Sequence, residues 1–377
     1  MLKLVFIVFS FFVINLSNAA VLTVGSGKEF IFPSIAAEYA KDGDVIEIDA
    51  DGFYLGDEAV WKASNLLIRG VNGRPVIQSA GLLANNKALW VISGNNVTVE
   101  NMEFTGAKVR DQNGAGIRHE GAGLTVRNCY FHQNQNGILT GENLMSDIFI
   151  SESEFALNGS GRGQTHNVYI GHVRSLIFEK NYSHHAIVGH TLKTRAEKNI
   201  IRYNRLMDED SGNSSYLVDV PNGGETYIVG NIIQQGKFND NRTLIAYGQE
   251  GQKNKNNQLF VAYNTFVNND TSGQFIRADR GGRGQIVNNI FAGRGNVVNG
   301  PLFEQKNNYR IQELNIFINT SRFNYRIIDD ASVRDKAIFL FKGFGEYGIP
   351  AFQLEQATVT KRERIGKNYD IGAHEYQ

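Results

Sequence analysis

The 377-residue chain holds a single cysteine, Cys129, so no disulfide can form within it and the fold must rest on burial and backbone pairing. That cysteine lies in the apolar string LTVRNCYF (124–131), the setting of a buried structural thiol rather than a nucleophile. Proline is scarce at five residues, whereas glycine reaches 40 and asparagine is abundant. Many turns with few rigid bends suit short strands better than helices. No charge sign prevails either: 38 Lys and Arg face 38 Asp and Glu, with a pI near 7.1. That balance argues against a nucleic-acid partner and against a polybasic membrane-surface protein. Hydrophobic residues at 42% and aromatics at 11% exclude global disorder.

Long apolar runs are also missing, with one exception at the N-terminus. Lys3 precedes LVFIVFSFFVI (4–14) and the small-residue stretch LSNAA (16–20). The run is shorter than the ~20 residues of a membrane span. With Ser17 and Ala19 at the minus-three and minus-one places, it reads as a secretory signal over 1–19. The expectation is an exported protein, periplasmic or extracellular, monomeric and free of the membrane once the signal is removed. The sequence offers no phosphate loop, nucleophile elbow or His-Glu-x-x-His pair. The Gly/Arg stretch RGGRGQ (280–285) reads as a turn.

What the chain does have is a repeat. VTVENMEF (97–104), LTVRNCYF (124–131), IFISESEF (148–155), LIFEKNYS (176–183) and NIIRYNRL (199–206) share one pattern. TYIVGNII (226–233), LFVAYNTF (259–266) and GQIVNNIF (284–291) continue it, and LLIRGVNG (66–73) is a degenerate first member. Successive strings start 23 to 33 residues apart, their apolar residues alternate, and Asn181, Asn204, Asn231, Asn264 and Asn289 hold one register. A period of that length with strand alternation fits one coil of a β-solenoid. The Asn column then predicts a buried ladder in which each amide bonds the next coil.

These strings resemble the right-handed parallel β-helix proteins of the pectate-lyase-like superfamily, over roughly residues 20–300. The expected fold is all-β, a right-handed parallel β-helix of about nine coils, roughly 45 Å long at one strand spacing per coil. PSIAAEYA (33–40) followed by DVIEID (44–49) is similar to the helix-then-strand N-terminal cap of many such enzymes. The tail ending NYDIGAHEYQ (368–377) resembles their C-terminal closing segment. The implied organisation is a cap over 20–60, the β-helix over 61–300 and a C-terminal cap over 301–377.

Five histidines, His166, His172, His184, His185 and His190, fall within 25 residues, alongside THNVYIG (165–171), HHAIVGHTLKTRA (184–196), SYLVDVPNGG (215–224) and AYGQEG (246–251). In a solenoid these segments stack into one patch. Alternation directs Asn167 and Tyr169, Lys193 and Arg195, and Leu217 and Asp219 outward, with Val168, Ile170, Leu192, Tyr216, Val218 and Val220 inward. His190 takes the inward parity unless the Gly189 turn rotates it. Arg118 and, further on, Arg277 and Asp279 share the outward face. Catalytic candidates are Lys193, Arg195, His190 and Tyr169. Substrate-binding candidates are His166, Asn167, Asp219, Tyr247, Glu250, Arg118 and Arg277. The acidic run DED (208–210) reads as a solvated loop rather than a calcium site, and no metal ligand set is assigned.

The chemistry that suits this patch is β-elimination on an acidic, uronate-containing polysaccharide. It needs a cation for the carboxylate, a base for the neighbouring proton and an acid for the leaving oxygen. Lys193 is the expected base, exposed and crowded by cations, with Arg195 on the carboxylate, Tyr169 as a candidate proton donor, and His190 or His166 as alternatives for acid or base duty. The resemblance implies Lys or Arg as base and admits calcium as the one cofactor. The alternatives are a glycoside hydrolase drawing on Asp219, Glu250 and Asp279, a C5-epimerase, or a non-catalytic glycan-binding solenoid.

Overall fold

The computed structural model describes residues 19–299, 302–329, 331–340, 343–355 and 358–376, so the segment read as a signal lies outside the described residues except for Ala19. Each eight-residue string from VTVENMEF to GQIVNNIF proves to span two strands joined by a corner, Val97–Glu100 and then Glu103–Thr105, for example, whereas LLIRGVNG holds the single strand Leu67–Val71. A third strand completes each coil. The strands stack into parallel sheets of 12, 11 and 10 members, referred to as the first, second and third sheets. This is a right-handed parallel β-helix of about ten coils, where about nine were expected. VTVENMEF and LTVRNCYF are stacked neighbours, Val97 opposite Leu124 and Glu100 opposite Arg127. The stacking begins at Val21–Val24 and ends at Tyr309–Ile311, so helix Pro33–Tyr39 lies between the first two strands of the first sheet.

The corner between the first and second sheets explains the Asn register. Its leading residue adopts a left-handed conformation, with φ of 50° at Asn128, 59° at Lys180 and 59° at Tyr203. For a non-glycine residue that conformation costs about 1–2 kcal/mol. The residue that follows recovers it by bonding. Asn231 Oδ1 accepts from the backbone N–H and the side-chain amide of Asn204, both at 2.9 Å. Its own amide donates to Ile201 O and to Asn264 Oδ1, again at 2.9 Å. The bond from backbone N–H to the next coil's Oδ1 runs without a break from Asn181 to Asn308, and Asn181, Asn204, Asn231, Asn264 and Asn289 are wholly buried.

Inside the coils, like residues stack. Phe104, Phe131 and Phe155 form a column with ring centroids 4.9 and 5.1 Å apart. Cys129 is buried beside it, and burial pushes its thiol up to about 12, which keeps it protonated and inert. Helix Pro33–Tyr39 starts with Pro at its first turn and buries Pro33, Ala36 and Ala37 against the strand Ala59–Trp61, closing one end of the core. The C-terminal segment lies along the flank of the first sheet. Phe344 packs on Phe260, Tyr347 on Tyr227 and Phe352 on Tyr203, at centroid distances of 5.3, 4.7 and 5.7 Å. Among the described residues no helix is long and apolar enough to cross a membrane.

Candidate functional site

The third sheet carries the site on its outer face. Pairing places Arg118, Leu139, Tyr169, Lys193, Asp219, Ala246 and Arg277 in one column, one residue per coil. Strand spacing of about 4.8 Å sets the rise between neighbours. At its middle the column becomes a polar cluster. Lys193 Nζ lies 2.9 Å from Asp219 Oδ2 and 3.2 Å from Glu250 Oε1. Arg195 donates through Nε to Tyr169 Oη at 2.9 Å, through Nη1 to Asn222 Oδ1 and through Nη2 to Glu250 Oε2 at 2.7 Å. Both cations lie 5.8 Å from the centre of the Tyr169 ring.

A second row runs beside the first. His166, His190 and Tyr216 stack with ring centroids 4.5 and 5.0 Å apart. The backbone N–H of His190 donates to His166 Nδ1, and that of Tyr216 donates to His190 Nδ1, each at 3.1 Å. Each Nδ1 is therefore an acceptor, which leaves the single proton of a neutral ring on Nε2. His190 Nε2 lies 3.4 Å from Asp219 Oδ2. Burial, with Lys193 adding to it, lowers His190 to about 3, and burial also holds His166 well below the usual histidine range.

Several expectations need correction. Lys193 points outward, yet it is 9% exposed, because Tyr169, Asp219 and Glu250 close over it. Burial pulls its ammonium down, but the two carboxylates outweigh that and hold it above the usual lysine range. It is a fixed cation, not a group ready to release its proton. Asn167 is wholly buried, not outward. Its side chain ends a second amide ladder with Asn134 and Asn158, accepting from the Asn158 amide at 3.0 Å and donating to Phe155 O and Ser183 Oγ. Tyr247 is wholly buried in the core with its hydroxyl on Gly224 O at 2.7 Å, so it cannot touch a substrate. Tyr216 and Leu217 exchange sides: Tyr216 stacks outside on His190 while Leu217 is core. His190 does rotate toward the cluster. Arg118 and Arg277 sit on the column at either flank, outside the cluster.

The other histidines are engaged elsewhere. His172 pairs with Glu197 at 2.9 Å, and His184 with Glu154 at 3.3 Å. His185 contacts His184 at 2.7 Å and Ser211 at 3.2 Å. Asn222 carried no periodic signal, and alternation misdirected Tyr216, since both lie just outside the strand Val218–Val220. On the N-terminal side of Tyr169 a groove of about 320 Å³ opens, lined by Asn113, Arg118, Thr140, Glu142 and Gln164.

The residues do not fit calcium. Both carboxylates at the cluster, Asp219 and Glu250, are already neutralised by Lys193 and Arg195. The carboxylate of Asp208 in the acidic run accepts from the backbone of Ser214 and Gly236. Among the described residues no group of three or more His, Cys, Asp or Glu is arranged to hold a metal ion.

No family model and no curated protein sequence matches the chain. Solved structures do. Pectate lyase Pel9A superposes with a TM-score of 0.66 at 13% identity, over 96% of this chain and 98% of that one. An alginate lyase from Paenibacillus sp. str. FPU-7 superposes with a TM-score of 0.50 at 12% identity, over 78% of this chain and 99% of that one. The chain has the pectate-lyase-like β-helix fold.

Proposed function

We propose that the protein is an exported polysaccharide lyase that cleaves an acidic, uronate-containing glycan by β-elimination. The observation that carries this reading is the grip of Lys193 and Arg195 on a carboxylate, at 3.2 and 2.7 Å, on the outer face of the solenoid. The carboxylate held is the protein's own Glu250. A cation pair so spaced suits a uronate, whose carboxylate must be neutralised before the proton on the adjacent carbon becomes removable. The two superposed structures, a pectate lyase and an alginate lyase, support a carbohydrate substrate at the level of fold.

Tyr169 is the proton carrier in this reading. Its oxygen accepts from Arg195 Nε and its ring is half-buried at the mouth of the groove. Reacting as the phenolate, with the Arg195 Nε–H bonded to its oxygen, it takes the proton from C5 as the C5–H pair forms the C4=C5 double bond. The C4–O4 bond breaks, and the proton passes to the leaving oxygen, so atoms and electrons balance. His190 does not serve as the base: its Nδ1 lone pair is taken by the Tyr216 N–H, and Nε2 faces Asp219. The hydrolase reading loses ground because Asp219 is 3% exposed and paired with Lys193, and Glu250 is itself held by Lys193 and Arg195.

Incubation with polygalacturonate, alginate and glucuronate-containing polymers, read by ultraviolet absorbance of unsaturated ends, tests the reading. Reducing ends without that absorbance indicate a hydrolase, and altered uronate stereochemistry without cleavage an epimerase. Retained binding with no chemistry indicates a docking solenoid.

A further inference from the structure

Resting on the uronate-binding reading of this site, we infer that Glu250 is an internal stand-in for the substrate carboxylate. It is a side-chain gate that a uronate displaces on binding. Two carboxylates share the Lys193 ammonium, and their accessibilities are opposite. The Asp219 side chain is 4% exposed and the Glu250 side chain 46%. Asp219 is the permanent counter-ion, and Glu250 the exchangeable one.

The position between the two cations is the one Glu250 fills. Arg195 Nε donates to Tyr169 and Nη1 to Asn222, while Nη2 and the Lys193 ammonium both meet the Glu250 carboxylate. A uronate that bonds both cations therefore has to occupy the position of Glu250.

The turn carrying Glu250 is pinned, which makes this a side-chain exchange and not a lid. The backbone N–H groups of Gly248, Glu250 and Gly251 donate to Val220 O, Pro221 O and Gly248 O at 2.8, 3.0 and 3.0 Å. Asn254, 3% exposed, anchors the far end through Ala196 O at 2.9 Å and Gly223 O at 3.1 Å. With the backbone fixed, rotation about the Glu250 side-chain bonds suffices to vacate the fork. Lys193 keeps Asp219 throughout, so no buried charge is left unpaired.

The test is calorimetric binding of trigalacturonate and trimannuronate, each as free acid and as methyl ester, to the wild type and to Glu250→Gln. The variant should bind at least one free acid about tenfold more tightly, the scale of one competing charge-assisted bond. The esters should gain nothing, and adding Arg195→Ala should abolish the gain. Equal or weaker binding of every free acid by Glu250→Gln overturns the inference, since Glu250 is then a strut that aligns the cations. An equal gain for the esters overturns it as well. Tighter acid binding by a protein that cleaves no polymer sinks the lyase reading and leaves the gate standing. Cleavage by the wild type without the affinity gain does the reverse.

Discussion

Replacing Asn231 by alanine deletes one rung of the amide ladder while leaving the outer face intact. Four bonds involve its side chain: two accepted from Asn204 and two donated, to Ile201 O and Asn264 Oδ1. Two of the partners retain another bond. The Asn204 amide still reaches Phe178 O at 2.8 Å, and Asn264 Oδ1 still accepts from the backbone N–H of residue 231 at 2.9 Å. The Asn204 N–H and Ile201 O lose the side-chain partner in a site from which water is excluded. At about 1–3 kcal/mol for each orphaned buried group, the loss is roughly 2–6 kcal/mol. That is a large fraction of the ~5–15 kcal/mol stability typical of a domain. Urea unfolding followed by circular dichroism should show a midpoint lowered by about 1 M or more, given slopes of a few kcal/mol/M. A broadened transition is also expected if neighbouring coils uncouple. Asn231→Asp is the sharper companion. It keeps the acceptor for Asn204 but sets a second oxygen against Ile201 O and Asn264 Oδ1, so it should be no better tolerated than alanine at pH 7. An unchanged midpoint in Asn231→Ala with loss of activity would refute the structural assignment and place the ladder in the site.

Other outcomes follow from the site and the core. Tyr169→Phe should reduce turnover on a cleaved polymer by about a hundredfold or more, the usual worth of a positioned proton-transfer group, with binding little changed; full activity removes Tyr169 as proton carrier. Lys193→Ala should destabilise by about 3–5 kcal/mol because it strands buried Asp219, whereas Lys193→Met with Asp219→Leu should recover most of that loss; equal stabilities of the wild type and the single variant contradict the pairing. Stability should fall as pH drops from about 7 to 5. His190 and His119, depressed to about 3 and about 4, stay neutral when folded while their unfolded counterparts near 6.5 take up protons, and each unit of depression corresponds to about 1.4 kcal/mol. A urea midpoint that is flat or rises over that interval counts against these burials. Cys129 should resist iodoacetamide in the native protein and react fully after unfolding; modification of the native protein would mean that the core opens there.

The regularities of the fold could be read from the chain because each was repeated. The Asn register, the paired strings and the outward positions of Tyr169, Lys193 and Asp219 recur coil after coil, and stacking converts recurrence into contact. The failures lie at strand ends. Alternation holds only within a strand, and those of the third sheet at the site are three residues long, Val168–Ile170, Leu192–Thr194 and Val218–Val220. Asn167 and Leu217 sit one residue before such strands, where the corner resets the direction of the side chain. Tyr247 failed for the opposite reason. It lies inside its strand, opposite Val220, and the inward parity of Val220 extends to it. The burial of Lys193 depends on Glu250, 57 residues away on a turn that follows no period.

Asn204, Asn231 and Asn264 make identical bonds to the coil on either side, so the ladder does not register which coil comes next. A coil in this half of the solenoid is thus an interchangeable part. Duplication of one coil between the Glu250 turn and Arg277 would rejoin the ladder at both seams and move Arg277 outward by one strand, about 4.8 Å, relative to Lys193. Deletion of the coil before Arg277 would instead take Glu250 with it. The span from Lys193 to Arg277 can therefore lengthen in whole units by in-frame gain of a single repeat, with the cluster of Tyr169, Lys193, Arg195 and Glu250 left where it is.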